Sequence, residues 1–406
     1  MPGGERPARP GRGAGRRRLI KVGRGAMAPP FLVMDVITAA NARAAALPPD
    51  APAILRMEVG QPATGAPAGA VAAAMAALGA RAPMGYTEAF GLPSLRARIA
   101  RHYAQRYSLT VDPARIAVTV GASGAFPLAF LAAFDRGDRV AMAAPFYPPY
   151  ANILTALGMQ PVLLECGPES RFQPTIAMLE ALDPLPDGLV VASPCNPAGT
   201  MLTPEELAAI ARWCHAKGVR LISDEIYHGL SWGTVAESSA AAFSPSAVVV
   251  NSFSKYWSMT GWRVGWLLLP EDLVRPVECL AQNMFISAPH IAQLVAEAAM
   301  DCTIELEANK ARYAASRAAL LEGLPRAGFT DIAAADGAFY LWCEISRLSN
   351  DSLAFAATML DAAGIAATPG VDFDPARGGR YLRFSYCGAP EDMAAAPARL
   401  QAWLGR

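Results

Sequence analysis

Between Ile116 and Gly265 short apolar runs alternate with helical segments, and this alternation limits the architectures open to the chain. The runs are IAVTV from Ile116, RVAMAA from Arg139, GLVVAS from Gly188, RLIS from Arg220 and the valine run from Val248. Strands separated by helices argue for a largely parallel, doubly wound α/β sheet, because parallel neighbours need a crossover connection. In such sheets ligands sit beyond the carboxyl ends of the strands. Here each run leads into polar or aromatic residues: the Gly121-Ala122-Ser123-Gly124 turn, Tyr147 between prolines, Asn196, Asp224 with Tyr227, and Lys255. The architecture therefore predicts one shared site.

Lysine is scarce. Lys21, Lys217, Lys255 and Lys310 are the only four, although Lys and Arg together number 35. An amine can lose its proton and attack a carbonyl to form a Schiff base, which a guanidinium cannot, so Lys255 is the candidate nucleophile. A strand, a glycine-bearing turn and a helix start, as at Gly121 to Ser123, aim free N–H groups at a point that suits a phosphate. Tyr147 is placed to stack on a flat ligand, although packing against a neighbouring loop explains it equally well. Gly60 reads as a turn glycine or as a close approach of backbone to ligand.

The remaining chain divides by composition. Residues 1–29 form an Arg/Gly/Pro-rich tail expected to be disordered, with Met27 the preferred start of the protein. Residues 30–70 read as an N-terminal arm contributing to a small domain, 71–300 as the large domain, and 301–406 as a smaller α+β domain. Helix is expected from Arg275 to about Leu324 with one break at Pro289-His290, followed by strands at FYLWCEI, GIAATPGVDF and RYLRFSY. Arg383 alternates with apolar neighbours, so it reads as leaving its sheet toward an anion or as a surface strand arginine.

Charge and cysteine usage exclude several classes. The first 26 residues carry eight Lys/Arg and one Glu, which leaves 27 basic against 34 acidic residues beyond them. With 53% hydrophobic and 17% charged residues, this is an enzyme-like composition and not a nucleic-acid-coating one. No uncharged apolar run reaches membrane-spanning length. Seven scattered cysteines without a CxxC pair argue against a disulfide framework or zinc site and fit a reducing cytoplasm. Glu225 and His228 beside Asp224 could suggest a metal cluster, but after a strand end they are expected to point apart, and Cys195 reads as a bystander.

The combination SPCNPAGT, SDEIY, SFSKYWSMTGWRVG and RFSY resembles the fold type I pyridoxal-phosphate enzymes, specifically the class I and II aminotransferases related to aspartate aminotransferase. The resemblance spans nearly all of residues 30–400. It implies a mainly parallel seven-stranded sheet, a small domain made from both chain ends, and a homodimer with active sites at the subunit interface. It also implies that Lys255 holds pyridoxal 5'-phosphate as a Schiff base and moves the α-proton, and that Asp224 pairs with the pyridinium nitrogen. Asn196 and Tyr227 would hydrogen-bond the phenolic oxygen, and Tyr147 would stack on the ring. Gly121, Ala122, Ser123, Ser252, Ser254 and Arg263 would hold the phosphate, with Tyr86 reaching across from the other subunit. Arg383 would clamp the substrate α-carboxylate, aided by Gly60 and Asn196.

Substrate choice is read from a missing cation. Aspartate-using relatives place a second positive group near the substrate side chain, but this chain has Ser123 at the glycine turn and no basic residue in QNMFISAP (282–289). An unpaired carboxylate is costly to bury, so a neutral, apolar amino donor is expected, with Met284, Phe285 and Ile286 lining its pocket or belonging to the core. A carbon–sulfur β-lyase of the same fold would use the same Lys and Asp and is the alternative. A DNA-binding regulator would need an N-terminal helix-turn-helix domain, for which the tail is too short and irregular.

Overall fold

The computed structural model describes residues 20–405. The expected disorder of the basic tail therefore falls mostly outside the described residues. Residues 20–29 are exposed and hold a single 3-10 turn, Arg24–Met27.

The apolar runs become strands as their alternation predicts. The large sheet contains β2 (Ile116–Thr119), β3 (Arg139–Ala144), β4 (Gln160–Glu165), β5 (Gly188–Ala192), β6 (Arg220–Asp224), β7 (Val248–Ser252) and β8 (Gly265–Leu268). Its order is β2-β8-β7-β6-β5-β3-β4, and only β8 runs antiparallel to its neighbours. Every residue of β7 is buried. Successive side chains of a strand face opposite sides of the sheet, and each side here has its own core. Val249, Leu221 and Leu189 pack with Leu207, Ile210 and Trp213 of the helix Pro204–Lys217. Val248, Val250 and Ile222 pack instead with Phe126 and Phe130 of the helix Gly121–Ala133 and with Leu273 and Val277 of the helix Glu271–Met284.

The helix Pro204–Lys217 shows how local chemistry fixes these ends. Thr203 and Glu206 form a reciprocal capping box, Pro204 occupies the first position, and Gly218 ends the helix at φ 71°. Such a cap contributes about 1 kcal/mol and sets where the chain leaves the β5 turn.

A second sheet has the order β1-β11-β12-β10-β9, with β1 (Leu55–Met57), β9 (Asp331–Ile332), β10 (Tyr340–Glu344), β11 (Ile365–Pro369) and β12 (Tyr381–Ser385). β1 joins it in parallel beside β11, so this sheet takes strands from both ends of the chain. Arg383 in β12 lies opposite Trp342 and Thr368.

The stretch after Arg275 departs from expectation. It breaks twice, giving helices Glu271–Met284, His290–Ala299 and Thr303–Gly323. The second break, after Ala299, carries no proline or glycine. Among the described residues no helix is long and apolar enough to cross a membrane.

Candidate active site

A cavity of about 330 Å³ opens where the carboxyl ends of the large sheet meet β10 and β12. Its floor is set by the turn after β7. Phe253 and Met259, both fully buried, anchor that turn, and the Phe253 amide donates to the Val264 carbonyl at 3.1 Å. Between these anchors the Lys255 side chain runs into the cavity, where Nζ donates to the Gly60 carbonyl at 2.7 Å. Burial is the main cause that lowers its pKa from 10.5 to about 8. A lysine in this state offers a free amine near neutral pH.

Asp224, the last residue of β6, is 4% exposed, and burial raises its carboxyl to about 6. Both oxygens are oriented: Oδ1 accepts from the Ile226 amide at 3.0 Å and Oδ2 from the Tyr150 hydroxyl. Tyr227 sits three residues on, with its hydroxyl 2.8 Å from that of Tyr340 and its own pKa pushed well up by burial. Tyr147 lines the same space, edge-on to Phe31 and Tyr150 at 5.7 and 5.3 Å between ring centroids.

Opposite Lys255 a cradle for an anion forms. The helix Gly121–Ala133 points its start at the cavity with Ala122 and Ser123 on the wall, and its first amides have no intrahelical acceptor. Arg263, at φ 52°, donates to Thr260 O at 2.8 Å and to Ser123 Oγ at 3.3 Å. Glycine suits position 121 because its φ of 65° strains other residues, and a Cβ there would also press on the Arg263 guanidinium at 2.5 Å. Ser254 lines the cavity, and Ser252 stands just behind with its Oγ 2.8 Å from that of Ser254.

Arg383 closes the other end. It is 2% exposed, lies between the rings of Tyr340 and Phe373 at 4.3 and 4.5 Å, and donates to Asn196 Oδ1 at 2.7 Å, Glu58 O at 2.5 Å and Thr368 Oγ1 at 3.1 Å. Its Nε has no partner among the described residues. Here Gly60 is needed for space, because a Cβ would fall 1.7 Å from the Tyr340 hydroxyl oxygen.

Gly60, Ala122, Ser123, Tyr147, Asn196, Asp224, Tyr227, Ser254, Lys255, Arg263 and Arg383 thus share one cavity, with Gly121 and Ser252 directly behind its wall. Tyr86 is not among the lining residues and is 82% exposed. The expectation that Glu225 and His228 point apart is corrected: His228 Nδ1 lies 3.7 Å from Glu225 Oε2, because the turn after β6 brings residues three apart to one side. No metal-holding group occurs among the described residues. Met284 and Ile286 are neither pocket nor core, being 44% and 49% exposed. Sequence reasoning passed over Tyr150, Tyr340 and Phe31; a second aromatic in FYPPY was the one signal available for Tyr150.

A partly buried amine, a buried carboxylate and an anion cradle in one cavity agree with the wider comparison. Residues 52–400 match the family described as aminotransferase class I and II. The chain belongs to that family. Valine–pyruvate aminotransferase of Mycobacterium tuberculosis is 50% identical over 379 residues, 93% of this chain and 96% of the relative. The crystal structure of an aminotransferase from Mycobacterium tuberculosis superposes with a TM-score of 0.92 at 49% identity, covering 95% of this chain and 100% of that one. Aspartate aminotransferase of Thermus thermophilus, solved with maleate, gives 0.88 at 29% identity with the same coverage. This chain is a pyridoxal-phosphate-dependent aminotransferase of α/β fold, moving an α-amino group to a 2-oxo acid.

Residues of this aminotransferase fit the cofactor on its own geometry. A guanidinium and a helix start face each other across Gly121, whose φ of 65° favours glycine, which suits a phosphate. The unpartnered Nε of Arg383 suits a carboxylate.

Proposed function

We propose that this aminotransferase takes a neutral aliphatic amino acid of valine's class as donor and a small 2-oxo acid such as pyruvate as acceptor. The carrying observation is a count of cations. Lys255, Arg263 and Arg383 are the cationic side chains among the described residues that line the cavity. With Lys255 on the cofactor, Arg263 on its phosphate and Arg383 on the substrate α-carboxylate, none remains for a second carboxylate. The rest of the wall includes Phe31, Val33, Val59 and Ile153, which favour an apolar side chain. The name of the Mycobacterium tuberculosis relative points to the same class.

In this reading Lys255 would hold pyridoxal 5'-phosphate covalently and Asp224 would face its ring nitrogen. Tyr147 would cover the ring, and Asn196 and Tyr227 would donate to its phenolic oxygen. Gly121, Ala122, Ser123, Ser252, Ser254 and Arg263 would hold the phosphate. When bound, the cofactor supplies an electron sink for the pair left at the substrate's α-carbon. The amine of Lys255, lowered to about 8, can take up and return a proton at Nζ near neutral pH. Arg383, fixed by Asn196 and by the Glu58 carbonyl, orients the α-carboxylate and so the α-carbon above that amine. Tyr86, exposed on this chain, would complete the phosphate site of a second copy in a homodimer. Seven unpaired cysteines fit a cytoplasmic setting.

The test is a donor panel run with the holoenzyme, with products identified by mass spectrometry. Valine-class donors should yield the matching oxo acid and convert pyruvate to alanine, at least about tenfold faster than aspartate or glutamate. A preference for acidic donors would overturn the substrate class. Release of ammonia or a thiol in place of amino transfer would establish a lyase.

A further inference from the structure

Behind Asp224, outside the cavity, lies a buried polar cluster that the chemistry above does not use. His228 is 4% exposed. Its Nε2 is 3.0 Å from the Ser193 carbonyl oxygen, and its Nδ1 is 2.6 Å from the hydroxyl of Tyr107 on the helix Pro93–Tyr107. A carbonyl only accepts, so Nε2 carries the hydrogen; in the neutral tautomer this fixes, Nδ1 accepts from the Tyr107 hydroxyl. At 3.7 Å, Glu225 Oε2 is too far to compete. Glu225 instead uses Oε1 to accept from Ser223 Oγ, Ser239 Oγ and the Ala240 amide. Glu237 fixes the chain just beyond, accepting from the Gly229 amide and from Arg106.

His228 thus joins two segments that both supply the site. It belongs to the turn carrying Asp224 and Tyr227, and it holds the carbonyl of Ser193, three residues before Asn196. Asn196 Oδ1 in turn accepts from Arg383 Nη1. Resting on the site reading proposed above, we infer that His228 is a positioning residue. Through its Nε2–H bond to Ser193 it sets the placement of Asn196, and thereby the phenolic-oxygen contact of the cofactor and the seat of Arg383. Tyr107 sets the ring orientation and tautomer that make this donor available.

Two isosteres separate the bonds. In H228Q the amide nitrogen reaches about as far as Nε2 and can keep the donation to Ser193; in H228N it reaches only as far as Nδ1. Each holoenzyme is measured for donor KM, kcat, thermal midpoint, and the pH midpoint of the absorbance change of the Lys255-bound cofactor. H228Q should stay within about threefold of native in KM, with an unmoved spectral midpoint. H228N should raise KM about tenfold and move the spectral midpoint by at least about half a pH unit, because Asn196 no longer holds its place. Y107F, which keeps the histidine and its packing, should show about a two- to fivefold rise in KM. Equal behaviour of H228Q and H228N, or a loss of thermal midpoint with no change in KM or spectrum, would overturn the inference. If H228N does not fold, Y107F decides, and native KM and spectrum in Y107F would overturn it. Failure of the underlying site reading is distinguishable, because the native holoenzyme itself would then lack the Lys255-dependent absorbance or the amino transfer.

Discussion

On the large-sheet side of the cavity, Asn196, Asp224 and Lys255 stand at or within four residues of a strand's carboxyl end, whereas on the small-sheet side Arg383 projects from the middle of β12. The first group is placed by backbone. A fully buried parallel strand fixes where its last residue lies, and the turn that follows needs only a few anchors such as Phe253 and Met259. Arg383 is placed by side chains and carbonyls: two aromatic rings, Asn196, Thr368 and Glu58 O. On the reading proposed above, Lys255 and Asp224 on the strand ends would handle protons while Arg383 on the opposite face would recognise the substrate carboxylate.

Lys255→Ala breaks the first side and should have the largest effect. Loss of the amine should lower kcat by at least about 10³-fold, because Lys255 supplies the one amine that lines the cavity among the described residues. Single-turnover measurement with a valine-class donor checks this, and retention of a tenth of native activity would move the chemistry to another residue. Arg383→Lys tests the other side. A lysine keeps the charge but loses the planar fork and the stacking between Tyr340 and Phe373. The loss should be about 10²-fold in kcat/KM, carried mainly by KM for both amino acid and oxo acid. A fall in kcat alone would mean that the two sides do not divide the work in this way.

The same contrast explains how much could be read from the sequence. Apolar runs mark five of the seven large-sheet strands, leaving out the largely exposed β4 and the short β8, and the polar residue after each run is where a parallel sheet presents function, so Asn196, Asp224, Tyr227 and Lys255 were legible from local pattern. Arg383 was visible as an arginine in an apolar strand, yet its burial between two rings was not. Tyr150 reaches Asp224 across 74 positions, and the Asp372 carboxylate reaches the amides of Leu32 and Val33 across 340 and 339. Such contacts depend on tertiary placement and leave no periodic trace. Likewise the second helix break, at 300–302, has no breaker residue to announce it.

The Asp372 contact offers a smaller perturbation of the small-sheet side. Its carboxylate accepts from Leu32 at 2.9 Å and Val33 at 3.1 Å, capping a helix whose own preceding residue, Phe31, gives no cap. Phe31 and Val33 then line the cavity. Asp372→Asn turns one acceptor into a donor facing an N–H, so stability should fall by about 1–2 kcal/mol in denaturant unfolding. KM for valine should rise about three- to tenfold while that for alanine changes less, since only the larger side chain needs the displaced wall. Equal changes for both donors would detach this wall from side-chain selection.

The subtlest test uses the apoenzyme and asks where the ionising cost resides. Lys255 is depressed in the folded state, from 10.5 to about 8, so the unfolded chain binds its proton more readily between those values and stability rises with pH across that window. Below pH 8 the partly desolvated ammonium costs about 3 kcal/mol at full effect. Lys255→Met should therefore stabilise the apoenzyme by roughly that amount at pH 7, with the gain shrinking as pH climbs above 8. Asp224 has the opposite sign. Its folded pKa is raised from 3.8 to about 6, so its contribution is favourable below about 4 and is lost as pH rises through 6. Asp224→Asn should thus gain stability at pH 7 and none at pH 4. A guanidinium keeps its charge throughout this range, so Arg383→Met should shift stability by an amount that does not vary between pH 6 and 9. Urea unfolding of the three apoenzyme variants between pH 4 and 9 separates the sides directly. A Lys255→Met gain that is constant with pH would mean that the cavity does not hold this amine against its charge, and the proton-handling role of the strand ends would lose its physical basis.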